Sequence, residues 1–181
     1  MIRASLGIIF LLTVEGLNFG FNQYTISIVS FGQSNETGVW DISTIRLIGR
    51  ERLVNGTVTL HEDMDNSHWS YSMDMYFDAD RNGNYKLLPF NVPKMPVCEA
   101  YKNYRKYFAK HAKVGKQTDF PFDMDVCPIP KGTYFMKGIA LNTDDFPPMV
   151  QRGYARGDGA FYYDDVHVGN YTLTVLLEDK Q

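Results

Sequence analysis

The side chains best suited to chemistry in this sequence are scattered. Residues 78–84 read Asp78-Ala79-Asp80-Arg81-Asn82-Gly83-Asn84, which places oxygens at the first, third and fifth positions of a calcium loop and glycine at the sixth. The twelfth position is Pro89, which has no carboxylate to close the shell, and strand-like text flanks the segment. The spacing therefore predicts an acidic hairpin turn. His61, Asp63 and Asp65 could ligate a metal, but His68, His111 and His167 repeat no ligand spacing. Asp144-Asp145 and Asp164-Asp165 are adjacent pairs, which a strand sends to opposite faces. No G-x-S-x-G elbow is present, and Cys98 and Cys127 are the only thiols. With nothing to assemble an acid, a base and a nucleophile, the expectation is a non-enzymatic protein with no cofactor and no metal.

Composition narrows the class. The chain has 181 residues, 44% apolar and 22% charged, with a formal net charge of −3. That suits one globular domain, is too apolar for intrinsic disorder, and lacks the basic footprint that nucleic acid requires. Twelve Phe and twelve Tyr favour strands, where flat rings pack on a pleated face.

Met1-Ile2-Arg3 followed by an apolar run over residues 6–14 is too short to span a bilayer and matches a secretory leader, with Val14-Glu15-Gly16 as the cleavage site. The bland alternative is a buried first helix. The expected organisation is a signal peptide over 1–16, a single β domain over 17–181, and secretion. An oxidising compartment favours pairing Cys98 with Cys127. Three sequons, at Asn35, Asn55 and Asn170, suit the same route, and alternation puts Asn55 and Asn170 on wet strand faces.

The elements that must position any site are mostly strands. Segments 23–31, 40–48, 54–61, 85–90, 133–141, 161–168 and 171–178 carry β-branched or alternating text, with Asn82-Gly83 and Asp158-Gly159 as turns. The clearest alternation is 69–77, where Trp69, Tyr71, Met73, Met75 and Phe77 face one way and Ser70, Ser72, Asp74 and Tyr76 the other. Residues 98–113 break the habit: Tyr101, Tyr104, Phe108 and Ala112 recur at helical spacing. The fold class predicted is mainly β: two packed sheets with one helix on the crossover between them.

Two surfaces invite a partner. Residues 98–117 hold six Lys or Arg against Glu99, while 62–80 hold six acids and no Lys or Arg. Such a basic helix either covers the sheet with its tyrosines or settles on anionic head groups. Phe146-Pro147-Pro148-Met149-Val150 is stiff and apolar, and either folds under as core or rims an opening.

The segment Cys127-Pro128-Ile129-Pro130-Lys131-Gly132-Thr133-Tyr134, with Phe146-Pro147 and Gly153-Tyr154, resembles the C-terminal half of the ganglioside activator and its lipid-recognition relatives of the ML superfamily. With the preceding Asp119-Phe120-Pro121 it is similar, more closely, to the CheB group of insect secreted proteins. The resemblance implies a β-sandwich or β-cup whose sheets part around an apolar cavity, and a chemosensory role in the response to pheromone-like hydrocarbons. By position, Phe146, Pro148, Met149 and Val150 match the rim loop of the activator, and Cys127 a signature cysteine. The chain departs from the activator in lacking most of its disulfides. The expected function is thus a secreted protein that binds a lipid or cuticular-hydrocarbon-like ligand. Trp69, Tyr71, Met73, Met75 and Phe77 would form one wall, and Leu173, Val175 and Leu177 another; the same side chains could equally fill a solid core. A membrane surface or a receptor is a further expected partner. The alternative is a secreted interaction module, accessory to a receptor or channel, with no lipid cavity.

Overall fold

The computed structural model describes residues 24–34, 38–143 and 150–180. The leader 1–16, Asn35, Phe146, Pro148 and Met149 lie outside the described residues. Among the described residues seven strands precede the helix: β1 (Tyr24–Ser34), β2 (Trp40–Asp41), β3 (Arg46–Ile48), β4 (Leu53–Leu60), β5 (Trp69–Asp78), β6 (Lys86–Leu87) and β7 (Val92–Pro96). Then come α1 (Val97–Ala109), β8 (Gly132–Ile139), β9 (Gly153–Tyr163) and β10 (Val166–Asp179).

The strands form two antiparallel sheets. The first has the order β1-β10-β9-β5, with β6 and β7 both on the outer side of β5. In the second, β2 and β3 lie along one side of β4 and β8 along the other. The chain crosses from the first sheet to the second and back, and α1 carries the next crossover, from β7 into β8. The predicted class, mainly β in two sheets with one helix on a crossover, is the fold observed.

Local chemistry explains where the segmentation differs from expectation. Residues 40–48 do not form one strand: Asp41 Oδ1 accepts the Ser43 N–H at 2.7 Å, and Ile45 N–H bonds Ile42 O at 2.9 Å, which turns the chain between β2 and β3. Asp158-Gly159 is no turn but lies inside β9. The hairpin into β10 is Asp164-Asp165, both at positive φ (46° and 66°), as a two-residue connection demands. The added strand β7 carries Pro93 and Pro96, compatible with its place beside β5 because a sheet margin needs fewer N–H donors. The helix ends at Ala109, earlier than predicted, and buries Val97, Cys98 and Ala100; Phe108 is 44% exposed. Pro96 has no side-chain cap to offer, so Asn66 Oδ1 accepts the Cys98 N–H at 2.8 Å.

Cys98 and Cys127 form a disulfide across 29 residues. The returning loop is also held by Met64 and Ile129, which exchange both backbone hydrogen bonds at 2.9 Å. The sheets meet where the Trp40 ring of β2 lies 4.6 Å from the Phe161 ring of β9. At another margin Arg52, in the β3–β4 turn, donates to the carbonyls of Ile28 and Val29, at the bulge of β1.

The apolar core divides into two clusters at opposite ends of the first sheet. One gathers Val39, Trp40, Met64, Trp69, Tyr71, Val97, Cys98, Ala100, Ile129 and Val168. The other is Tyr24, Phe77 and Leu177, with Ile26, Leu88, Val150 and Ala155 against it. Along β5 they are separated by the run from Tyr71 to Phe77, about 20 Å at strand rise.

Candidate ligand site between the sheets

The register decides which side chains share the inner face. Met73 pairs with Gly159 and Gly159 with Tyr171; Met75 pairs with Gly157 and Gly157 with Leu173; Phe77 pairs with Ala155 and Ala155 with Val175. On β1, Phe31 lies opposite Leu173 and Ile28 opposite Val175. The inner face is therefore apolar on β5 and β10, and nearly bare on β9, the strand between them.

The outer face is its opposite. Arg156 pairs with Asp158 at 3.0 Å, its guanidinium lies 4.8 Å from the Tyr76 ring and 4.5 Å from the Tyr85 ring, and Thr172 donates to Asp158 at 3.1 Å. The outer face is thus laced by polar contacts, whereas the inner face is apolar.

The eight residues expected to form the walls divide by burial. Trp69, Tyr71, Phe77 and Leu177 are buried in the end clusters. Met73, Met75, Leu173 and Val175 are only partly buried, and Met75, Leu173 and Val175 join neither cluster among the described residues. Val58 and Met136 share their face of the second sheet with Leu60 and are also partly buried. Packed interiors bury such residues fully. On the first sheet the inner face is closed at both ends by these clusters and incompletely covered in the middle. Of the rim, Val150 packs against the second cluster.

Two glycines of β9 have spatial reasons. Neither Gly157 nor Gly159 has a positive φ, so backbone geometry would admit other residues. A methyl on Gly159 would come within 2.4 Å of the Tyr171 ring, which lies flat across the strand. A methyl on Gly157 would meet first the Met73 and Met75 sulfurs, at 3.3 and 3.4 Å, in flexible side chains. Sequence reading missed this strip. Its signal is the period-two run Gly153, Ala155, Gly157, Gly159, alternating with Tyr154, Arg156 and Asp158.

One polar feature lies on this face. The Tyr71 and Tyr171 hydroxyls are 2.6 Å apart, with their rings stacked at 6.3 Å and 9°. Burial raises both phenols well above their usual range, so both stay protonated. On the helix side burial pushes the Tyr101 phenol up to about 12, where its hydroxyl donates to the Pro121 carbonyl.

Other candidates are occupied by structural tasks. Asp78 Oδ2 accepts the Gly83 N–H at 2.7 Å and Asn82 Oδ1 the Asn84 N–H at 3.0 Å, as an acidic turn requires. Asp63 accepts the Lys131 N–H, and Asp65 the Ser67 and His68 N–H groups. His68 pairs with Asp164 at 2.8 Å, and that hydrogen bond raises its titration. Among the described residues no three His, Cys, Asp or Glu gather to hold a metal. Asn170 Oδ1 bonds His167, and the Asn55 carboxamide bonds Gly138 N–H and Leu53 O; both asparagines are partly buried. A dish of about 490 Å³ lined by Thr25, Arg81, Glu178, Asp179 and Lys180 is polar, with Arg81 and Glu178 already paired at 2.9 Å.

Residues 71–156 match a family model described as "Protein of unknown function (DUF1091)". The match begins on β5 and ends on β9, and so takes in Met73, Met75, Phe77, the helix and the disulfide. No curated protein matches the chain. Among the described residues no helix is long and apolar enough to cross a membrane.

Proposed function

We propose that the protein is a secreted, non-enzymatic binder of an acyl or hydrocarbon chain, held between its two sheets. The observation that carries this is the partly buried stretch formed by Met73, Met75, Leu173 and Val175, between two closed clusters and over the bare Gly157. Burying hydrocarbon there is worth about 0.8 kcal/mol per methylene, so ten methylenes supply roughly 8 kcal/mol before association costs, enough for micromolar binding. Methionines suit a ligand of variable shape, because unbranched thioethers adapt their rotamers. The disulfide suits an oxidising compartment. Resemblance to the CheB group, with its Cys127-to-Tyr134 signature, supports a chemosensory setting and a ligand of the cuticular-hydrocarbon kind.

The test is organic extraction and mass spectrometry of protein from its native secretion, together with titration of a fluorescent fatty acid. Near-stoichiometric lipid and micromolar uptake are expected. Neither lipid nor uptake would leave an accessory module of a receptor or channel, which the exposed Leu87 and Phe90 could serve.

Delivery to a membrane surface is assigned to α1 and its continuation, where Lys106 and Lys113 are exposed beside the exposed Tyr107 and Phe108. Each cation near an anionic surface adds about 1 kcal/mol. Lys106→Glu with Lys113→Glu should reduce co-sedimentation with phosphatidylserine vesicles at least tenfold at low salt. Equal sedimentation of variant and parent would remove the helix from the proposal.

A further inference from the structure

We propose that the Tyr71–Tyr171 hydroxyl pair is a polar anchor that selects a neutral oxygenated chain, such as an ester, ketone or alcohol, over the plain hydrocarbon and over the carboxylate. This rests on the binding function proposed above and adds the ligand's chemical class.

Two hydroxyls carry two protons, and a mutual bond at 2.6 Å uses one of them. Among the described residues nothing accepts the second. A donor without an acceptor in an apolar setting is costly, and an oxygen brought by a ligand relieves that cost. The pair is built for its position. Tyr171 crosses β9 because Gly159 has no side chain, and so reaches Tyr71 from the far side of that strand. The hydroxyls stand where the closed cluster of Trp69 and Val97 gives way to the partly buried Met73, Met75 and Leu173. An oxygen at the pair leaves an alkyl tail to run along those side chains for about 13 Å, the span from Tyr171 to Val175.

Charge decides against the carboxylate. Both phenols are held in their neutral form, and the neighbours that act on them are phenols rather than cations. A buried carboxylate would find one neutral donor and no counter-charge, so it would stay in water.

The experiment displaces a fluorescent alkyl probe with three competitors of one chain length: the alkane, its methyl ester and its carboxylate. The parent protein should bind the ester about tenfold more tightly than the alkane. The carboxylate should bind no more tightly than the alkane. Tyr71→Phe or Tyr171→Phe alone leaves one hydroxyl with its proton free, so each should keep the preference. The double variant should bind ester and alkane equally, and near-ultraviolet circular dichroism reports whether it is folded. Equal binding of ester and alkane by the parent, or a preference that survives in the double variant, overturns the anchor while leaving the carrier intact. Failure of every competitor and of the probe to bind overturns the carrier itself.

Discussion

Gly157→Leu should abolish uptake of an alkyl probe, by a hundredfold or more, while shifting the melting midpoint by only a few degrees. The expectation follows from what surrounds Gly157: ordinary strand backbone and two methionine sulfurs, at 3.3 and 3.4 Å from a would-be methyl. The sulfurs can swing aside, and the rest of the leucine side chain then occupies the stretch between Met75 and Leu173 where the tail would lie. If that stretch were solidly packed, the same substitution would overfill it at a cost of about 1–3 kcal/mol. One variant thus separates the two cases. Lost binding with retained stability supports a ligand site, whereas a large fall in the midpoint shows a filled core. Probe titration and differential scanning calorimetry on the same sample provide both readouts. Gly159→Leu is the contrasting case: it collides with the Tyr171 ring and should destabilise the protein outright.

Removing the disulfide should produce the second large effect. The loop it closes spans 29 residues, which the chain-entropy argument converts to about 3–4 kcal/mol. For a domain of this size that lowers the midpoint by roughly 10 °C. Cys98→Ala with Cys127→Ala avoids leaving a free thiol. The Met64–Ile129 backbone pairing, with Asp63 accepting the Lys131 N–H at 2.7 Å, should keep the loop close to its place below the new midpoint. Thermal denaturation followed by circular dichroism measures the change, and a fall of less than 2 °C would show that those backbone bonds alone hold the crossover.

Much of the scaffold was legible because burial writes a period into the residues. The alternation of Trp69, Tyr71, Met73, Met75 and Phe77 against Ser70, Ser72, Asp74 and Tyr76 marks β5 and its inner face directly. The helix was legible by its tyrosines, and the disulfide by arithmetic. Four things were hidden. In β9 the inner residues are too small to register as hydrophobic, so Asp158-Gly159 reads as a turn when it is a strand crossed by a ring. The two prolines of β7 mask a strand whose pairing needs few donors. Incomplete burial at Met75, Leu173 and Val175 depends on what the fold brings over them, which a one-dimensional pattern does not encode. The hydroxyl pair required a register: Tyr71 and Tyr171 are a hundred positions apart and meet only because Gly159 lies between their strands.

The pairing of β1 with β10, Tyr24 opposite Asp179, has a consequence for biosynthesis. A ribosome makes β1 first among these strands and must add some hundred and fifty residues, by the register of that pair, before its neighbour exists. Until then β1 has an unsatisfied row of amides, and β9 lacks the partner that should flank it. The nascent chain should therefore depend on chaperones late into synthesis. A product truncated before Val166 should aggregate rather than linger as a half-built sandwich.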